Sequence, residues 1–179
     1  WQSTHATPPV RVVSGRGLGP GPAMNDGIRA TSADIIIRFD AHALPAPDYV
    51  ERSLAALAAS AECAVRSAGV VGGVWVVAPG ADSAVARAIA QVVSHPLGSG
   101  GALYRHADAS GPEQFAVETV PFGTFRRSLW EQLGGFDENL AANQDFDFNY
   151  RARRAGFDVI LDRRITATYF ARPTLPALR

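Results

Sequence analysis

Apolar and polar positions alternate along the chain in blocks that fit a domain of strands and helices. Continuous apolar runs bounded by turn residues predict strands at 34–39, 69–77 and 118–125, the first of them a central strand buried on both faces. Apolar residues at helical spacing predict helices between these runs, at 23–30, 45–60, 82–94, 126–136 and 143–156. Strands and helices alternate, so the predicted fold class is α/β.

The remaining segments carry weaker signals. Loops are predicted where periodicity is lost or where glycine and proline are frequent: 1–9, which is a loop or a cut end, 14–22 and 95–117. Brief apolar runs predict three further short strands, at 10–13, 157–162 and 165–170. No internal repeat or low-complexity tract occurs, and residues 1–179 are expected to form a single domain.

Composition narrows the classes of function. The 17 basic residues balance 17 acidic ones, so no net charge would recruit nucleic acid or an anionic membrane. Every basic residue is Arg, which excludes a lysine nucleophile and the lysine of a phosphate-binding loop. Cys63 is the only cysteine, which excludes a disulfide framework and favours a reducing compartment. No Gly-x-Ser-x-Gly sequence occurs, so a serine hydrolase has no support.

An acid and an imidazole directly follow the first predicted strand. One residue separates Asp40 from His42, so in an extended turn a carboxylate oxygen and an imidazole nitrogen can approach one cation from the same side. Ligands of open α/β sheets bind outside the carboxyl ends of the strands, and a divalent cation held there would neutralise phosphate charge. The alternative is that Asp40 caps the following turn and His42 is a solvated loop residue. The spacing alone leaves both interpretations open.

A second acidic motif opens the last predicted helix. Asn143 is expected to be its N-cap, which puts Asp145 and Asp147 in the first turn, where the helix dipole favours ionised carboxylates. Such an acid could act as the general base for a bound hydroxyl. Acids are also common in the first turn for structural reasons alone, so this alternative stays open as well.

These motifs occur in an order that resembles the family-2 glycosyltransferases of the GT-A fold, in particular the bacterial members that build exopolysaccharides such as succinoglycan. The resemblance rests on AMNDGIRATSADIIIRFDAHALPAPDYVE, VGGVW, SHPLGSGGALYRH, VPFGTFRRSLWEQLGGFDE and NQDFDFNYRARRAGFDVILD, and it covers residues 23–173. It implies a Rossmann-like mixed sheet flanked by helices. The family's opening strand, helix and strand have no counterpart, so the chain is expected to be an N-terminally incomplete catalytic domain.

The resemblance also implies roles for the two acidic motifs. Asp40 and His42 stand where the family carries its Asp-x-Asp motif, which implies that they hold Mn²⁺ or Mg²⁺ against the diphosphate of a nucleotide-sugar. Here a histidine replaces the second acid. Asp145 matches the acid of the family's Glu-Asp motif and is the implied general base, with Gln144 in place of the glutamate.

Three further positions are implied to contact the donor, because they match the stretches beside the nucleotide and the transferred sugar: Asn25, Gly27 and Gly123.

The implied activity is inverting transfer of a sugar from a nucleotide-sugar, a UDP-hexose, to a growing glycan or lipid-linked saccharide in exopolysaccharide synthesis. The expected location is cytoplasmic, at the inner face of the bacterial membrane, with peripheral association and no nucleic-acid partner. The alternatives are a non-catalytic carbohydrate-binding or scaffold fragment of the same fold, a nucleotidyltransferase and a metal-dependent hydrolase.

Overall fold

The computed structural model describes residues 10–17, 19–63, 67–100, 102–106 and 110–178, so the prediction for 1–9 lies outside the described residues. The helices are α1 (Pro20–Arg29), α2 (Tyr49–Cys63), α3 (Ala84–Ser94), α4 (Pro96–Ser99), α5 (Arg127–Gln132) and α6 (Gln144–Arg154). The strands are β1 (Ile35–Ile37), β2 (Ala43–Pro45), β3 (Ala68–Pro79), β4 (Gln114–Ala116), β5 (Thr124–Arg126) and β6 (Asp158–Ala171).

One mixed sheet forms the centre of the molecule. Its strand order is β1-β5-β3-β6-β2, and β4 also pairs with β6. Strands β3 and β6 run parallel, whereas the other pairs are antiparallel. Side chains alternate along β3, so that Val70 and Val74 face one core layer and Val71 and Trp75 face the other. The α/β class and the mixed sheet are therefore confirmed.

Helices cover both faces of this sheet. The layer that contains Val70 also includes buried residues of α1, α5 and α6, namely Ile28, Leu129, Trp130, Phe148 and Ala152. The layer that contains Val71 includes residues of α2, namely Tyr49, Ala56 and Leu57. No helix among the described residues is both long enough and apolar enough to cross a membrane.

The prediction of a central strand at 34–39 is wrong in its position. The run forms β1, which has three residues, lies at the edge of the sheet and pairs with β5. Ile36 packs against one core layer and Ile35 and Ile37 pack against the other, so both faces are covered although each residue is only partly buried. An apolar run indicates that both faces of a strand are covered by other residues. It does not indicate how many strands lie beside that strand in the sheet. The central strand is β3.

Near the end of the chain, one strand replaces the two predicted at 157–162 and 165–170. Strand β6 continues through the charged residues between them, and Asp162, where this charged stretch begins, has partners inside the fold. Asp162 is 1% exposed and accepts hydrogen bonds from Gln114 Nε2 at 2.6 Å and from Arg164 Nη2 at 2.7 Å. Burial opposes ionisation, but these bonds prevail and lower the pKa of Asp162.

Other boundaries also differ from the predictions. Residues 10–13 form no strand, and Val12 is 89% exposed. Strand β2 was not predicted, and the segment 95–117 contains α4 and β4. Helix α1 begins at Pro20, inside the predicted loop, because the fixed φ of proline suits the first turn of a helix.

Candidate active site

Arg38 joins the two acidic motifs. Its Nη2 donates to Asp40 Oδ1 at 2.7 Å, and its Nη1 donates to Asp145 Oδ2 at 3.3 Å. The guanidinium lies over the ring of Phe122, 5.9 Å from the ring centre, and the Arg38 side chain is 18% exposed. Two carboxylates that are far apart in the sequence therefore meet at one cation, at the edge of the sheet.

The local backbone explains how Arg38 reaches this position. Arg38 and Asp40 are two residues apart on the extended segment that follows β1, a spacing that puts side chains on the same face. The Arg38 N–H donates to the carbonyl of Gly123 at 3.1 Å. Phe122 has a φ of 50°, which is costly for a bulky residue and is typical of functional sites. The Tyr49 hydroxyl donates to the Phe122 carbonyl at 3.2 Å and holds this conformation.

The start of α6 places Asp145 beside Arg38. Asp145 and Asp147 lie in its first turn, as predicted. Asn143 is the N-cap, as predicted, but it adopts the left-handed conformation, at φ 63°, and its side chain makes no capping hydrogen bond. Arg151 donates to Asp147 Oδ2 from Nε at 2.8 Å and from Nη2 at 2.7 Å. Asp147 is therefore engaged on its own helix, whereas Asp145, with a side chain 38% exposed, faces the shared site.

The two predicted glycines lie on different sides of Arg38. Gly123 borders a small pocket together with Arg38 and Asp145, and a Cβ at this position would stand 2.7 Å from Val70 Cγ1. Close packing against β3 thus accounts for a glycine there. Gly27 and Arg38 line a cavity of about 370 Å³ between α1 and β1. The structure thus brings Asp40, Asp145 and both glycines around a single residue.

Asn25 has a different environment from the one predicted. It is 1% exposed, and its Nδ2 donates to the Phe136 carbonyl at 2.8 Å and to Glu138 Oε1 at 3.0 Å. Its Oδ1 accepts from the Phe136 N–H at 2.9 Å and from Trp130 Nε1 at 3.1 Å. These four bonds use the full capacity of an amide, which leaves no group for a nucleotide. We therefore correct the predicted donor contact and assign Asn25 to the packing of α1.

Replacing Asn25 with Ala is expected to lower the free energy of unfolding by about 3 kcal/mol, because buried donors and acceptors lose their partner. Urea unfolding of both proteins would measure the difference. Asn139→Ala is the matched control, since Asn139 is exposed and its amide donates to Asp137 in its own turn, its one side-chain bond among the described residues. Equal losses in the two variants would contradict the assignment.

Glu138, which accepts one of the hydrogen bonds from Asn25, is expected to make the free energy of unfolding depend on pH. Hydrogen bonds from Arg16 and Asn25 lower the pKa of Glu138 from 4.5 to about 2. A lowered folded-state pKa stabilises the fold above the unfolded value, and this contribution is lost as the pH falls through the folded value. The stability difference between the wild type and Glu138→Gln should therefore be constant above pH 4.5 and vanish near pH 2. Urea unfolding across this range would measure it, and a difference that persists at the acid end would contradict the assignment.

His42 is exposed, and its ring meets that of Tyr169 edge-on with 5.3 Å between the centres. A carboxylate oxygen and an imidazole nitrogen are chemically suitable ligands for Mn²⁺ or Mg²⁺. Within the part of the chain that the structure describes, no group of three His, Cys, Asp or Glu side chains could hold a metal. A cation at Asp40 and His42 would therefore take its other oxygens from phosphate or water, and it would compete with Arg38 for Asp40.

Sequence reasoning missed Arg38 in the site and Arg105 in a neighbouring aromatic cluster. Arg38 interrupts an apolar run two residues before Asp40, and the alternation of a strand could have revealed it. Arg105 lies over the rings of Trp75 and Tyr104, at 5.3 Å and 5.6 Å, in a segment without periodicity. Trp75 in turn stacks on Tyr169, with 4.0 Å between the ring centres. These contacts build an aromatic wall beside His42.

Comparisons with known proteins show the fold and the family. The structure resembles that of the mannosyltransferase PcManGT from Pyrobaculum calidifontis in complex with GDP-Man and Mn²⁺, with a TM-score of 0.50 and 20% sequence identity. The similarity covers 84% of this chain and 36% of that one. The fold is therefore that of a GT-A glycosyltransferase. The model of glycosyl transferase family 2 matches residues 2–134, which is more than half of the chain, and the chain belongs to this family.

Two curated proteins support the same family. A dolichyl N-acetyl-α-D-glucosaminyl phosphate 3-β-D-2,3-diacetamido-2,3-dideoxy-β-D-glucuronosyltransferase of Methanococcus voltae is 28% identical over 154 residues, which are 86% of this chain and 46% of that protein. The succinoglycan biosynthesis protein ExoA of Rhizobium meliloti (strain 1021) is 29% identical over 147 residues, 82% of this chain and 41% of that protein. The chain thus spans less than half the length of either relative. Asp145 lies beyond the residues that the family model matches.

Proposed function

We propose that this chain carries the catalytic site of an inverting glycosyltransferase that moves a hexose from a UDP-sugar to a growing glycan or a lipid-linked saccharide. The observation that carries the proposal is the convergence of Asp40 and Asp145 on Arg38. Membership of the family supports the reaction class. The names of the two relatives, one acting on a dolichyl-linked sugar and one in succinoglycan biosynthesis, support a saccharide acceptor. We propose that the reaction takes place at the cytoplasmic face of the membrane.

Asp145 is the proposed general base. Its carboxylate accepts the proton of the acceptor hydroxyl as the oxygen attacks the anomeric carbon. The nucleoside diphosphate leaves from the opposite face, so the configuration at this carbon is inverted. The partial exposure of Asp145 gives a substrate access to it, and the bond from Arg38 orients its carboxylate.

Asp40 and His42 are the proposed ligands of a divalent cation, Mn²⁺ or Mg²⁺. When bound, such a cation offsets the negative charge of the departing diphosphate. Gly27 and Gly123 are the proposed donor contacts, and both lie beside Arg38. Arg38 lies beside both glycines and links one proposed cation ligand, Asp40, to the base.

The test is an assay of the full-length protein with UDP-glucose, UDP-galactose and GDP-mannose in the presence of Mn²⁺. Octyl β-D-glucoside, octyl β-D-galactoside and octyl α-D-mannoside serve as acceptors. Mass spectrometry is expected to detect a product one hexose heavier with one UDP-sugar, and NMR is expected to show inverted anomeric configuration. Retention of configuration would contradict the role of Asp145. Binding of nucleotide or saccharide without transfer would favour the non-catalytic alternative, and release of pyrophosphate would favour a nucleotidyltransferase.

A further inference from the structure

A second cleft opens beside the start of α6. Its volume is about 450 Å³, within the roughly 300–1,000 Å³ range of small-molecule sites. Leu103, Tyr104, Glu118, Thr119 and Phe146 line it. They come from three separate parts of the chain: the turn at Leu103–Arg105, the segment before β5 and the first turn of α6. The cleft is distinct from the cavity between α1 and β1 that Gly27 lines.

The cleft lies next to the proposed base. Phe146 directly follows Asp145, and its N–H donates to Asp145 Oδ1 at 2.9 Å. On the other side, burial raises the pKa of the Tyr104 hydroxyl, Arg105 opposes the rise and the charge of Asp145 adds to it. Phe146 thus joins the cleft to Asp145, which itself lines the small pocket with Arg38 and Gly123.

The lining has the chemistry of a saccharide site. Phe146 is 45% exposed, and Leu103 is 48% exposed, so both present apolar surface that a sugar ring could cover with its C–H groups. Glu118 is exposed and offers carboxylate oxygens to sugar hydroxyls. Thr119 is fixed beside it, because its hydroxyl accepts from Asn149 Nδ2 at 2.8 Å. An exposed ring and apolar surface next to hydrogen-bonding groups suit a neutral, hydroxyl-rich ligand better than an anion.

We infer that this cleft binds the terminal sugar of the acceptor, with Phe146 and Tyr104 against its ring and Glu118 accepting from its hydroxyls. The inference rests on the proposed function, because it places the nucleophilic hydroxyl beside the proposed base. It adds residues that would select the acceptor: Tyr104 and Phe146 lie in stretches that carry the family resemblance, but the resemblance gave them no role.

Steady-state kinetics of Phe146→Ala and Glu118→Gln test this inference in the full-length protein. The probe is the octyl hexoside that the wild type glycosylates fastest, and the KM of the acceptor and the KM of the UDP-sugar are measured separately. The acceptor KM is expected to rise about five- to tenfold in each variant, which is the effect of one ring contact or one hydrogen bond. The donor KM is expected to stay within about twofold.

Tyr150→Ala is the matched control. Tyr150 lies on the same helix and is 46% exposed, close to the value for Phe146, but it does not line the cleft. Its acceptor KM should equal that of the wild type. An unchanged acceptor KM in both cleft variants, or a parallel rise of the donor KM, would overturn the inference while leaving the proposed function intact. Absence of transfer by the wild type would instead overturn the proposed function and the inference together.

Discussion

Replacing Asp145 with Asn is expected to lower the rate of sugar transfer by a factor of about 10² to 10⁴, which is the usual contribution of a general base. The amide keeps the shape of the side chain but cannot take the proton of the attacking hydroxyl. Donor binding should change little, because the proposed donor contacts and cation ligands lie on other elements. Turnover numbers and calorimetric titration with UDP and Mn²⁺ would measure the two effects separately.

The neighbouring acid offers a matched control. Asp147 also lies in the first turn of α6, but its carboxylate is held by Arg151 on the helix surface. Asp147→Asn should therefore retain most of the transfer activity and lose at most about 1 kcal/mol of stability from a partly exposed helix pair. Wild-type turnover in Asp145→Asn, or equal losses in the two variants, would refute the assignment of the base.

The parts of the site that could be predicted from sequence are those that depend on near neighbours. Asp40 follows an apolar run directly, and Asp145 lies two residues after an Asn-initiated turn, so each could be assigned to the end of an element. Their meeting could not be predicted from this local pattern, because it depends on how β1 and α6 are brought together by the sheet between them. Only the three-dimensional structure shows that Arg38 contacts both carboxylates.

The difference between local pattern and three-dimensional arrangement also explains the errors in the predicted fold. An apolar run predicts burial, so 34–39 and 69–77 gave equivalent strand signals, although one is at the edge and the other is central. Asn25 matched a motif and was assigned to the donor, whereas its buried amide serves the chain itself. Motif matching identifies a position in the sequence. Only the hydrogen bonds of its side chain show whether the residue is available to a ligand or is used within the fold. His42 illustrates the remaining case, in which the metal role stays a prediction.

Replacing Arg38 with Gln is expected to change two properties in opposite directions. Asp40 loses the guanidinium group that donates to its Oδ1. Mn²⁺ should therefore bind about five- to tenfold more tightly in the absence of nucleotide. A unit charge at this distance in a partly exposed site contributes on the order of 1 kcal/mol, which corresponds to that range. Transfer should nevertheless fall about tenfold or more, because Asp145 loses the bond that orients it.

Electron paramagnetic resonance of free Mn²⁺ and initial rates of transfer would measure these two effects in the same samples. Arg87→Gln controls for the loss of one positive charge, since Arg87 pairs with Asp82 on the surface at 2.7 Å. Arg38→Lys should keep Mn²⁺ affinity near that of the wild type, because the charge remains. A misfolded Arg38→Gln protein would lose metal binding and activity together. Weaker or unchanged Mn²⁺ binding in a folded variant would show that Arg38 does not compete with the metal for Asp40.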